Sequence, residues 1–173
     1  MSVVRDITAL GSVAVLTLVV LLVLGFLALC RRYRAAFLIL LAAGGGVLAT
    51  TALKATTERE RPHIVPHLME ATSQSFPSGH SMMSSVVYLT LGAMVAQTMA
   101  RKREQVYLMG VAVLLTVLVG LSRVYLGVHY PTDVAAGWAA GTAWALICCG
   151  ATWWFREKMN SGGATAGGKL ARR

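Results

Sequence analysis

The amino-acid sequence predicts an all-α integral membrane bundle of five transmembrane helices, and three observations carry that expectation. Of 173 residues, 56% are apolar and 13% charged, with a mean hydropathy of +0.64. That is about half the charged share of a soluble domain. The charges are separated by uncharged runs that suffice to cross roughly 30 Å of hydrocarbon at about 20 residues each. Inside hydrocarbon, such runs satisfy their own backbone N–H and C=O groups only as helices. The length suits one compact domain, and the composition excludes disorder, a disulfide scaffold and an ordinary water-soluble enzyme. A net charge of +9 and a pI of about 10.1 raise nucleic acid as a partner. A nucleic-acid groove, however, needs dense Lys and Arg on a polar surface, and this chain has no such surface.

The elements follow in order. Ile7 to Cys30 holds no charge over 24 positions, Ala35 to Leu53 over 19, and Val134 to Phe155 over 22. Ser81 to Ala100 and Gln105 to Ser122 are the remaining two spans. The first run reads as a retained helix rather than a cleaved signal. Arg5 is offset by Asp6, the run exceeds a normal signal core, and Cys30-Arg31-Arg32 offers no small-residue cleavage site. Residues 1–158 then form one transmembrane domain. Residues 159–173 form a basic tail, Gly-, Ala- and Ser-rich over Ser161–Gly168, with the composition of a flexible end. Gly137-x-x-x-Gly141 permits close helix packing, and reads as serving the fold's own interior in preference to a contact between copies. Cys30, Cys148 and Cys149 have no His neighbour at metal-ligand spacing and read as packing or lipid-facing residues.

The charges sort by side. Arg31/Arg32/Arg34, the segment Arg101–Glu104 and the tail from Arg156 carry +3, +2 and +4, which is the whole net charge of +9. The other connections balance internally. The positive-inside rule makes the first group cytoplasmic, so the amino terminus and the segments 54–80 and 122–133 share the outer face.

Chemistry gathers on that balanced face. Lys54 closes the second span, and Arg61-Pro62 follows on a loop, because proline turns its predecessor away from helix. Phe76-Pro77-Ser78-Gly79-His80 opens the third span with Ser78 as N-cap. Gly79 and His80 fall in a first turn whose free N–H groups suit an anion. Ser122-Arg123 ends the fourth span, and His129 and Asp133 follow across a turn. Two His, three cations, one carboxylate and a helix N-terminus form a set suited to phosphate, whose oxygens match Arg forks and backbone donors. No metal is expected, since His129 and Asp133 among cations make a poor cation site. Taken singly, each residue has an ordinary reading: snorkelling for Arg and Lys, solvated loop positions for His63 and His67, and dipole complementation for Asp133. Their shared face, order and spacing point to one site.

The pattern Lys54-x6-Arg61-Pro62, Pro77-Ser78-Gly79-His80 and Ser122-Arg123-x5-His129-x3-Asp133 resembles the three-part signature of the type 2 phosphatidic acid phosphatase superfamily. That family also holds bacterial lipid phosphatases and vanadium haloperoxidases. The resemblance spans 54–133 with all three parts complete. It implies a nucleophilic role for His129, which forms a phosphohistidine, with Asp133 orienting it and His80 protonating the leaving oxygen. Lys54, Arg61 and Arg123 match the phosphate clamp, supported by Ser78 and Gly79. It further implies a metal-independent, cofactor-free hydrolase of a bacterial inner membrane. It would act on a lipid phosphate, while the charge asymmetry places the active site outward and the carboxyl terminus in the cytoplasm. Phosphatidate, phosphatidylglycerol phosphate, prenyl diphosphate and lipid A phosphate all qualify, with His63, His67 and Glu70 as candidates for choosing among them. Membrane members commonly have six helices with the motifs after the third. Here the motifs begin after the second, as if one N-terminal helix were missing, and Arg5–Thr8 would lie at the outer surface. Transfer of phosphate to a second lipid is an alternative within the family. A transporter or channel is one outside it, but the spans carry only scattered Ser, Thr and Gln97. A soluble haloperoxidase scaffold conflicts with five apolar runs.

Overall fold

The computed structural model describes residues 2–57 and 75–170. Its elements are all helices: α1 (Ser2–Ala9), α2 (Val13–Leu29), α3 (Tyr33–Ala55), α4 (Gly79–Ala96), α5 (Lys102–Tyr125) and α6 (Pro131–Leu170). The all-α class expected from the sequence is what the chain adopts.

The first expected span is not one helix. It breaks at Leu10–Ser12 into α1 and α2, which are bent by 45°. Ser12 is the N-cap of α2, its hydroxyl accepting from the Val15 N–H at 3.3 Å, so a first-turn donor is satisfied without a preceding helical turn. Gly11 allows close approach to α5, since a Cβ there would lie 2.3 Å from Val119 Cγ1. Uncharged length is blind to such a break, because glycine and serine do not interrupt an apolar run.

Among the described residues, α3, α5 and α6 as far as Thr152 are long and apolar enough to cross a membrane, and α1 with α2 passes as one bent span. α4 is not in that group, and its position explains why. It packs against α2, α3, α5 and α6 and buries Ser81, Ser84, Ser85 and Thr90 together with Met82, Val86 and Val87. The Ser84 and Ser85 hydroxyls donate to the Ser81 carbonyl at 3.1 and 2.8 Å. A central helix faces protein rather than lipid and can carry such polar side chains once they are bonded. Among the described residues, the five expected runs thus fall on a bent pair, three long apolar helices and a core helix.

Small residues set the spacing. A Cβ at Gly137 would meet the Ser78 carbonyl oxygen at 2.9 Å, and one at Gly141 would meet that of Met82 at 2.4 Å. The glycine pair thus serves the interior, bringing α6 against α4. Gly45 and Gly120 lie beneath the Trp144 and Trp138 rings, whose indole N–H groups donate to Ala42 O at 3.0 Å and Thr116 O at 3.1 Å. The outer faces are apolar: Leu22, Phe26, Phe37, Leu48, Leu146 and Ile147 are all exposed, a surface suited to hydrocarbon and not to water.

α6 continues to Leu170, past the span end expected at Phe155 and into the segment whose composition favours a flexible end. No proline follows Pro131 to remove a donor from the ladder. Gly162, Gly163, Gly167 and Gly168 each cost about 1 kcal/mol relative to alanine, so these are its weakest turns.

Candidate active site

The geometry starts from the turn after α5. Gly127 has φ 69°, a left-handed conformation that glycine adopts without penalty. Its N–H donates to Val124 O at 3.0 Å, and the Val128 N–H reaches back to Arg123 O at 3.3 Å. This is a Schellman closure. It ends the helix just beyond Arg123, reverses the chain and delivers His129 immediately afterwards.

α6 then begins at Pro131, a first helical position where the missing N–H costs nothing. Asp133 sits two residues on, fully buried. Its Oδ2 accepts from the Tyr130 N–H at 2.9 Å, the backward reach of a capping box. The same oxygen accepts the Ser75 hydroxyl and lies 3.6 Å from His129 Nδ1. One carboxylate oxygen therefore ties the helix start to the chain ahead of α4 and stands beside the imidazole. His129 is 4% exposed.

The start of α4 is bound to the same place. The Ser78 N–H donates to Asp133 O at 3.0 Å, and buried Ser78 is the N-cap of α4 as expected. Its hydroxyl does not cap the helix, however, and instead accepts from Ser81 Oγ at 3.1 Å. Gly79 and His80 form the first turn. Lys54, in the last turn of α3, comes alongside, since a Cβ at Gly79 would lie 3.8 Å from its Nζ.

Arg123 occupies the last turn of α5 and is 4% exposed. Its Nη1 donates to the Thr8 hydroxyl of α1 at 3.3 Å.

Lys54, Gly79, His80, Arg123 and His129 line one cavity of about 650 Å³. Its remaining walls are mostly apolar, from α2 (Leu16, Val20, Leu24) and α3 (Leu40, Val47), with Thr17, Thr50 and Thr51 among them. Asp133 and Ser78 stand behind that lining. Arg61, His63, His67 and Glu70 lie outside the described residues. The sequence reading missed two residues of this constellation, Ser75 and Thr8. Ser75 is one of several hydroxyl residues before Phe76 and carries no mark of its own. Thr8 would have stood out only had the Gly11-Ser12 break been read as a helix start.

The PAP2 superfamily model matches residues 35–157. Phosphatidylglycerophosphatase B of Bacillus subtilis is 36% identical over 142 residues, covering 80% of this chain and 68% of that protein. Decaprenylphosphoryl-5-phosphoribose phosphatase of Mycobacterium tuberculosis is 32% identical, covering 74% of this chain and 67% of its own length. The fold is similar to the crystal structure of a transmembrane PAP2 type phosphatidylglycerolphosphate phosphatase from Bacillus subtilis. The TM-score is 0.81 at 34% identity, covering 91% of this chain and 76% of that one.

Proposed function

The chain belongs to the PAP2 superfamily, and on that premise we propose that it hydrolyses a lipid phosphate through a phosphohistidine formed on His129. It is an integral membrane phosphatase. The observation that carries the finer reading is the buried His129–Asp133 pair at 3.6 Å, with His129 facing the cavity also lined by Lys54, His80 and Arg123.

A carboxylate at Nδ1 holds the proton on that nitrogen and leaves Nε2 as the nucleophile. Attack of Nε2 on phosphorus breaks the bond to the lipid oxygen, and His80 supplies the proton that departing oxygen needs. Lys54 and Arg123, with Arg61 by its place in the family signature, hold the equatorial oxygens as their charge develops. The N–H groups of the α4 first turn add a dipole of the right sign. Water then attacks the phosphohistidine. His80, now neutral, takes the water's proton, and inorganic phosphate leaves with both histidines restored. The residues supply nucleophile, acid and charge, so the scheme calls for no metal.

A lipid substrate is favoured by the cavity's shape. Its α2 wall runs from Val13 to Leu24, ~16 Å at 1.5 Å per residue, which gives an acyl or prenyl chain apolar contact while its phosphate meets the cations. The charge asymmetry of the connections supports an outward-facing site. Phosphatidylglycerol phosphate and polyprenyl phosphates are the favoured candidates, after the relatives' substrates. The test is release of inorganic phosphate in detergent across phosphatidate, phosphatidylglycerol phosphate, prenyl diphosphate and lipid A phosphate. Activity should persist with a chelator, yield to vanadate and vanish in His129→Ala. Undiminished turnover in that variant, or full loss with chelator, overturns the mechanism. Labelled phosphate recovered on a second lipid with none released would mark a transferase.

A further inference from the structure

We infer that Thr8, on the amino-terminal helix α1, is a positioning residue for the phosphate clamp, holding the Arg123 guanidinium in its working orientation. The inference rests on the reading above, in which Arg123 binds the transferring phosphoryl group.

Three observations converge on it. Thr8 is 3% exposed although α1 is short and peripheral in sequence, and its hydroxyl accepts from Arg123 Nη1 at 3.3 Å. Gly11 sits over His80, a Cβ there lying 3.4 Å from the His80 Cβ and ring. Leu10 O accepts from the Tyr88 hydroxyl of α4 at 2.7 Å. The end of α1 and its turn are thus fastened to α4, the helix that carries His80, and to α5, the helix that carries Arg123.

The chemical type of the partner matters. A buried guanidinium requires acceptors, and a carboxylate in this place would offer the strongest one. It would also neutralise the cation and compete with the substrate for the same N–H groups. A threonine hydroxyl fixes one edge of the guanidinium at no cost in charge. Its β-branch stiffens χ1, and the turn pinned by Tyr88 sets where that oxygen lies. The positive charge therefore remains whole for the phosphate, while the rotameric freedom of a long side chain is reduced before substrate arrives.

The experiment compares wild type with Thr8→Ser, Thr8→Val, Thr8→Asp and Tyr88→Phe, measuring kcat, KM, vanadate inhibition and melting temperature in one detergent. Thr8→Val keeps the shape and removes the acceptor. It should lower kcat/KM on the order of tenfold and weaken vanadate by a similar factor, with melting lowered by only a few degrees. Thr8→Ser should restore both, and Thr8→Asp should weaken vanadate further than Thr8→Val. Tyr88→Phe should lower melting more than Thr8→Val does. Equal kcat/KM and vanadate inhibition in wild type and Thr8→Val overturns the inference. So does a loss in Thr8→Val that tracks melting alone. His129→Ala in the same series separates the two claims: an active His129→Ala refutes the phosphohistidine reading, whereas an inert Thr8 leaves that reading standing.

Discussion

Replacing Gly141 by alanine should drive α4 and α6 apart. The added Cβ would lie 2.4 Å from the Met82 carbonyl oxygen and 2.7 Å from Ser85 Cβ, and real Cβ atoms keep beyond about 3.0 Å of such neighbours. The two backbones must therefore separate by at least ~0.6 Å, because a carbonyl cannot rotate away as a side-chain tip can. Overpacking of this kind costs ~1–3 kcal/mol, and a backbone clash belongs at the upper end. The gain in helix propensity from Gly to Ala returns about 1 kcal/mol, leaving a net loss of ~2 kcal/mol. At ~2–4 °C per kcal/mol for a chain of this size, melting should fall by ~4–8 °C. Met82 is two residues from His80, so the shift reaches the end of α4 that lines the cavity. Because a 1 Å misplacement can cost ~100-fold, kcat should drop about tenfold. The assay is thermal unfolding and phosphate release in one detergent, with Gly110→Ala as the reference. A Cβ at Gly110 meets nothing within 4 Å, so that variant should gain stability slightly. If Gly141→Ala melts and turns over like Gly110→Ala, the close α4–α6 contact is refuted.

Two further substitutions test the site's supports. Ser75→Ala removes the hydroxyl that donates to Asp133 Oδ2; with a hydrogen bond to a charged group contributing ~1.5–3 kcal/mol, kcat should fall at least tenfold while KM changes little, read by steady-state kinetics. Gly127→Ala forces a side chain into the left-handed region at φ 69°, costing ~1–2 kcal/mol, and should lower both melting temperature and turnover because the turn delivers His129. Arg31 already adopts φ 54° at the equivalent turn after α2, so Arg31→Gly should raise melting temperature and leave kcat alone.

The sequence displays this fold where charge is the signal and hides it where contact is. Tyr33–Ala55, Lys102–Tyr125 and the apolar part of α6 were legible because a charge inside hydrocarbon is costly, so its absence marks a span. The break at Gly11-Ser12 was hidden, since neither residue is charged. The central place of α4 was hidden too: Ser81, Ser84 and Ser85 lie in an uncharged run like the others, although they mark the helix that packs against α2, α3, α5 and α6. The interior role of Gly137 and Gly141 is favoured by their spacing, but the Ser78 and Met82 carbonyls beneath them are a tertiary contact that spacing does not name. The site followed the same division. Lys54, His80, Arg123, His129 and Asp133 are conspicuous because titratable groups are rare here, and their order carried the family signature. Ser75 and Thr8 are 58 and 115 positions from the residues they bond. A hydroxyl gains such a role only through tertiary contact.

The central claim is that phosphate passes through His129. Its most direct test is to quench the enzyme during turnover of a labelled lipid phosphate and map the phosphorylated residue by mass spectrometry under alkaline conditions, where phosphohistidine survives. Label should appear on His129 in wild type and be absent from His129→Ala. Label on another side chain, or rapid release of phosphate by His129→Ala, would contradict it.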